Sequence, residues 1–96
     1  MKVRWLKRAH AQLREQLAWW KENTASEHLL KEEVRRVQKL LAATPHAGVV
    51  VRNARPGTRR VLLTTQHTLY YRVDERRGFV EVLRFWHTAR GQEPRL

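Results

Sequence analysis

Pro45 divides this chain into two halves of different periodicity, and that division restricts the fold more than any other feature. It lies in Thr44-Pro45-His46-Ala47-Gly48, where the ring removes a backbone donor and pushes the preceding residue out of the helical region. Before it, Ala9, Leu13, Leu17 and Trp20 recur at helical spacing from about Arg8 to Glu22 and share one face. Asn23-Thr24-Ala25-Ser26 breaks that pattern, and Thr24 with Glu27 has the spacing of a capping box. A second helix is expected to run to about Ala43, with Leu30, Val34, Val37 and Leu41 as its apolar stripe and Lys31, Arg35, Arg36 and Lys39 mostly on the far side. Glu27–Lys31 and Glu32–Arg36 stand at the i,i+4 spacing of favourable pairs.

After Pro45 the period becomes that of strands. Val49-Val50-Val51 suits a short edge segment, and Asn53-Ala54-Arg55-Pro56-Gly57 a turn. Residues 59–65, 68–73 and 79–87 read as three strands, joined by a tight turn near Gln66-His67 and by Asp74-Glu75-Arg76-Arg77-Gly78. Short connections make these an antiparallel meander. Val3 and Trp5, alternating with charged residues, read as a first short strand. The expected architecture is α+β, in the order β-α-α-β-β-β, with a helical hairpin on one face of a small antiparallel-rich sheet.

Ninety-six residues fit one domain over 1–96. With no cysteine, disulfides and thiolate metal sites are excluded. No apolar run approaches the roughly 20 residues of a membrane span, and the charged segment Met1-Lys2-Val3-Arg4-Trp5-Leu6-Lys7-Arg8 does not resemble a signal-peptide core. A cytoplasmic location without membrane contact is the expectation. The net charge of +11 calls for an anionic partner, either nucleic acid or an acidic protein. All five lysines fall at or before Lys39 and every later base is arginine. The guanidinium fork suits carboxylate or phosphate recognition, so the second half is the expected recognition surface.

The histidines do not form a metal set, because His10, His28, His46, His67 and His87 show neither an H-x₃-H pair nor HExxH. No metal or other cofactor is expected. His10, His28 and His46 read as solvated. His87 differs: it ends a strand, follows two aromatics and precedes a basic tail, where imidazole can serve as general acid or base. A histidine bonded to backbone fits the same position. Asp74, Glu75, Glu81 and Glu93 are too dispersed for two-metal chemistry, so any nuclease activity would be metal-free. The two helices do not form a DNA-reading pair, since their link lacks a glycine turn and the second carries Glu27, Glu32 and Glu33. Trp5 and Trp20 read as packing residues. Trp19, about 100° round the helix from Trp20, reads as exposed and available to a partner.

Pro56-Gly57-Thr58-Arg59-Arg60-Val61-Leu62-Leu63, then Tyr70-Tyr71-Arg72-Val73-Asp74, then Val82-Leu83-Arg84-Phe85-Trp86-His87-Thr88-Ala89-Arg90-Gly91, in that order and spacing, resemble the RelE/ParE superfamily of toxins from type II toxin–antitoxin pairs. The resemblance covers essentially the whole chain, and its final strand is similar to the plasmid-stabilisation, ParE-like branch. It implies one of two targets: RelE-like members cleave mRNA on the ribosome, whereas ParE-like members poison DNA gyrase. Nuclease members commonly carry an arginine where Thr68 stands, a tyrosine in the C-terminal tail where this chain has none after Tyr71, and a lysine pair where Arg59 and Arg60 stand. The resemblance therefore favours a non-enzymatic, gyrase-binding toxin. It implies target contacts at Arg59, Arg60, Arg84, His87, Arg90 and Arg95. It further implies an acidic cognate antitoxin, forming a hetero-oligomer through Trp19, Arg35 and Arg36. The alternative is a ribosome-dependent endoribonuclease using His87, Arg60 and Arg90, and a second is an inactive relative that only binds a partner.

Overall fold

The computed structural model describes residues 1–91 and 94–96. It contains β1 (Lys2–Trp5), α1 (Lys7–Asn23), α2 (Glu27–Ala43), β2 (Val49–Val50), β3 (Thr58–Leu62), β4 (His67–Asp74) and β5 (Phe79–His87), followed by a 3₁₀ turn, Thr88–Arg90. The expected α+β order is therefore observed. The five strands form one sheet in the order β1-β5-β4-β3-β2. β2 through β5 pair antiparallel, while β1 pairs with β5 in parallel, Val3 opposite Val80 and Trp5 opposite Val82. A parallel neighbour requires a long connection, and here it is residues 6–78, the helical hairpin followed by β2, β3 and β4.

The hairpin buries the α2 stripe Leu30, Val34, Val37 and Leu41, with Ala9 of α1, against one sheet face. That face supplies Leu69 and Tyr71 from β4, Val80, Val82 and Phe85 from β5, and Leu63. Trp5, Leu13, Leu17 and Trp20 pack around it half-buried, as their spacing predicted. The Trp5 indole also donates to Gln38 Oε1 of α2, tying β1 to the hairpin. A smaller cluster lies on the opposite, open face: Val51, Tyr70 and Leu83, with Ala54 and Trp86 against them.

A register shift in β5 explains how one strand feeds both layers. Tyr70 pairs with Arg84 but its neighbour Tyr71 pairs with Val82, so Leu83 is an extra residue on that strand. A bulge of this kind reverses the alternation that follows it. Val80 and Val82 face the helices before the shift, and Phe85 faces them after it.

Several local expectations are corrected. Thr24 does not cap α2: its hydroxyl donates to the Trp20 carbonyl at 2.8 Å and accepts the Ser26 N–H at 3.0 Å, closing the end of α1 instead. Of the two ion pairs, Glu27–Lys31 forms at 3.1 Å. Arg36 pairs not with Glu32 but with Glu33, Nε and Nη2 donating at 3.0 and 2.7 Å. Glu33 is buried and also accepts the Thr64 N–H at 2.9 Å, so Arg36 is drawn to the carboxylate that anchors α2 to the β3–β4 connection. The first meander strand ends at Leu62, not at residue 65. His67 begins β4 instead of belonging to the turn; Gln66 alone takes the left-handed conformation there, at φ 64°.

Candidate functional site

Strand alternation decides which cations can act together. Arg59 and Arg60 are adjacent on β3 and so project to opposite faces. Arg59 turns to the helix side, where its Nη1 donates to the carbonyls of His46 at 3.2 Å and Gly48 at 2.8 Å. It clamps the turn that leads from α2 into the sheet. That turn is tight. The Gly48 N–H donates to the buried Tyr71 hydroxyl at 2.8 Å, and a Cβ at Gly48 would stand 2.7 Å from the Arg60 carbonyl oxygen. Burial raises the Tyr71 pKa, against the lowering effects of the Gly48 hydrogen bond and the Arg59 charge.

Arg60 turns to the open face, opposite Tyr70, which is itself opposite Arg84. The next row is Leu62, Thr68 and Trp86. Arg60, Leu62, Thr68, Tyr70, Trp86 and Thr88 line a depression of about 340 Å³. Tyr70 is its buried floor, Trp86 a half-buried wall and Leu62 an exposed rim, while Thr68 and Thr88 join hydroxyl to hydroxyl at 3.0 Å. Arg84 is partly buried and its guanidinium donates to the Leu83 carbonyl; burial, then the charge of Arg8, lowers its pKa. Arg95 is exposed. The Arg90 backbone belongs to the 3₁₀ turn, and its side chain lies outside the described residues.

His87 does not join this group. It pairs with His67 across the ladder, and the His67 ring lies edge-on to it with centroids 5.1 Å apart. His67 is fully buried, stacked on Phe85 at 4.9 Å and near Trp20 of α1 at 6.1 Å. Its Nε2 lies 2.8 Å from Gln16 Oε1 and its Nδ1 3.0 Å from Thr65 Oγ1. The Gln16 oxygen can only accept, so Nε2 carries the proton and Nδ1 accepts from Thr65. Burial first, and the charge of His87 second, push the His67 pKa down to about 4. The turn expected near Gln66-His67 does not include His67; its two-residue spacing from Leu69 and Tyr71 is the signal that it faces the core.

The hairpin presents the second surface. Trp19 is 54% exposed and Leu29 47%, so Trp19 is available as its helical phase indicated. Leu29 and Arg36 line a depression of about 520 Å³ with Trp20, Glu32 and Thr64. Arg35 lies along a separate groove with Gln38 and Lys39. Among the described residues no group of three or more His, Cys, Asp or Glu could hold a metal ion, and no helix is long and apolar enough to cross a membrane.

Comparison with known proteins gives two findings. The family model for the ParE toxin of the type II toxin–antitoxin system parDE matches residues 3–91. The fold is similar to that of a chain from the chromosomal ParDE toxin–antitoxin system of P. aeruginosa, with a TM-score of 0.70 and 21% identity over 91% of this chain and 95% of that one. At that identity the likeness bears on fold alone. No curated protein matches.

Proposed function

This chain belongs to the ParE toxin family of type II toxin–antitoxin systems, and from that membership we propose that it acts by binding DNA gyrase so that the enzyme's cleaved-DNA complex persists. One observation carries the choice of a binding module over a nuclease. Metal-free RNA cleavage needs an acid–base group within reach of cations that hold the developing phosphorane charge. His87 sits beside His67, on the helix side, whereas Arg60 lies in the open-face depression. Thr68, where nuclease relatives carry arginine, is bonded to Thr88 in that same depression. Arg60 and Arg84, opposite Tyr70 on the two neighbouring strands, are the gyrase contacts we assign first, with exposed Arg95 as a further one.

An acidic cognate antitoxin restrains the toxin as its hetero-oligomeric partner in the cytoplasm. The hairpin fits it, since exposed Trp19 and Leu29 offer apolar anchors on a hairpin that also carries Arg36 beside Leu29 and Arg35 with Lys39 in a separate groove. This is the pattern that receives an amphipathic acidic helix.

The test is a cleavage assay with antitoxin-free protein, gyrase, ATP and supercoiled plasmid. Linear DNA should accumulate after denaturation, in proportion to added toxin. Plasmid that stays intact and supercoiled at saturating toxin overturns the gyrase reading.

A further inference from the structure

We propose that Arg8 of α1 and Arg84 of β5 form one two-guanidinium site, which holds a carboxylate of an acidic segment on the target protein while an apolar neighbour in that segment covers Leu6. Two contacts bracket the pair. β1 ends at Trp5, opposite Val82, and past that point the β1 side of β5 lies against the start of α1. There the Leu6 N–H donates to the Val82 carbonyl at 3.0 Å, and the Phe85 N–H donates to Gln12 Oε1 at 2.9 Å. Arg8 lies between Leu6 and Gln12 on one segment, and Arg84 between Val82 and Phe85 on the other. The two backbones therefore hold the arginines alongside each other. The charge of Arg8 is felt at Arg84, where it adds to burial in lowering the pKa.

The pair is arranged for an anion and holds none of its own. Arg84 Nη1 donates to the Leu83 carbonyl at 2.6 Å, which steadies the guanidinium and leaves its other nitrogens for a partner. Among the described residues neither Arg8 nor Arg84 has a carboxylate in ion-pair range, and the first turn of α1 contains no acid. Two like charges held together without a counter-charge repel. A carboxylate received between them relieves the repulsion and accepts from both forks. Leu6 favours a protein as the source. It is 37% exposed at the start of the same turn, where an apolar side chain beside the carboxylate covers it and a lone phosphate leaves it in water. The site rests on the gyrase reading only for the identity of the target, and Arg8 is a contact that reading alone does not supply.

The test is an amide-resolved NMR titration of the free toxin with an oligoglutamate peptide carrying one central leucine. Shifts at Leu6, Arg8 and Arg84 should saturate together with one Kd. Arg8→Gln and Arg84→Gln should each raise that Kd about 5-fold, the effect of one partly exposed charge pair. The double variant should fall well short of the roughly 25-fold product, because both groups hold one carboxylate. Arg76→Gln removes the same charge from the turn before β5 and should leave the Kd nearly unchanged. Alanine in place of the peptide's leucine should weaken binding, and equal affinity overturns the apolar contact at Leu6. The full product for the double variant, or equal effects of Arg8→Gln and Arg76→Gln, overturns the proposal and reduces the contact to diffuse charge. A shortfall seen only with oligodeoxythymidylate of equal charge overturns the protein partner and makes phosphate the ligand. The titration contains no gyrase, so its failure is separate from failure of the cleavage assay. Where wild type linearises plasmid, Arg8→Gln should need about 5-fold more toxin; an unchanged requirement overturns the assignment to the target. Circular dichroism checks folding. Should Arg84→Gln unfold, Arg84→Lys, which keeps the charge and loses the fork, completes the cycle with Arg8→Gln.

Discussion

Acidifying the protein from pH 7 to pH 4 should cost it roughly 3 kcal/mol through His67 alone. The ring is fully buried, and its folded-state pKa is about 4 against an ordinary 6.5. A depressed histidine means that the unfolded chain takes up its proton first. Stability is therefore fully present above pH 6.5, falls at about 1.4 kcal/mol per pH unit below it, and stops falling near pH 4, where the folded form protonates too. By pH 5.5 the loss is about 1 kcal/mol, a sizeable part of the roughly 5–15 kcal/mol that holds a domain together. At about 4–8 °C per kcal/mol for a chain of this length, the full effect lowers the melting temperature by more than 10 °C. His67→Phe separates this from the other titrations. Phenylalanine can keep the stack on Phe85 but leaves the Gln16 and Thr65 oxygens without their partner, costing about 1–3 kcal/mol at pH 7. Urea unfolding of both proteins, at intervals from pH 7 to 4, should give curves that converge or cross as pH falls. Parallel curves would refute the argument, because they would mean that His67 binds its proton equally in both states.

Glu33 gives a second, lower window. Its carboxylate is held down at about 2, chiefly by Arg36 and then by the Thr64 N–H against the opposing effect of burial, so its contribution is present above about pH 4.5 and lost toward pH 2. Glu33→Gln should cost about 1–2 kcal/mol at neutral pH, and a dependence on pH between 4.5 and 2 as steep as wild type would contradict it. Gly48→Ala should destabilise by about 1–3 kcal/mol, because the new methyl meets the Arg60 carbonyl and the Tyr71 ring; an unchanged thermal midpoint would show that the turn yields freely. Arg35→Glu should weaken antitoxin binding and reduce its salt dependence, measured by titration calorimetry. Arg35 is the cleaner choice, because reversing Arg36 would also break its contact with Glu33.

Much of the fold was legible because local periodicity is enforced by burial. Leu30, Val34, Val37 and Leu41 share one face of α2 and all four are buried; Trp19 and Trp20 divide between solvent and core as their helical phase requires. The parallel β1–β5 pairing was not legible, since a strand's pattern says which side faces the core but not which distant strand lies beside it. Capping and ion-pair partners failed for a related reason. Thr24 and Arg36 had two competing partners each, and tertiary position chose between them. Two misses had visible signals. Arg59 and Arg60 could not both meet one target, given a side-chain period of two. In β5, Glu81 and Arg84 stand three residues apart where strict alternation would give two or four, the trace of the extra residue. At the candidate site, the arginines were legible as a class. Their grouping with Trp86, Thr68 and Thr88 was not, because it arises from rows running across three strands.

The placement of β5 between β1 and β4 makes order of synthesis matter. β1 leaves the ribosome long before β5, its neighbour in the sheet among the described residues, which begins at Phe79 opposite Lys2. Until that late strand emerges, the two helices have only part of the surface they cover, and the Trp86 wall and the Arg84 position do not exist. Closing a loop of that span costs about 4 kcal/mol in chain entropy, so the meander of β3, β4 and β5 should assemble first and β1 dock onto it afterwards. A nascent chain stalled before Phe79 is therefore unable to present the recognition face proposed above. The topology itself delays potency until translation of the sheet is complete, and gives an antitoxin already in the cell the time in which to meet its partner.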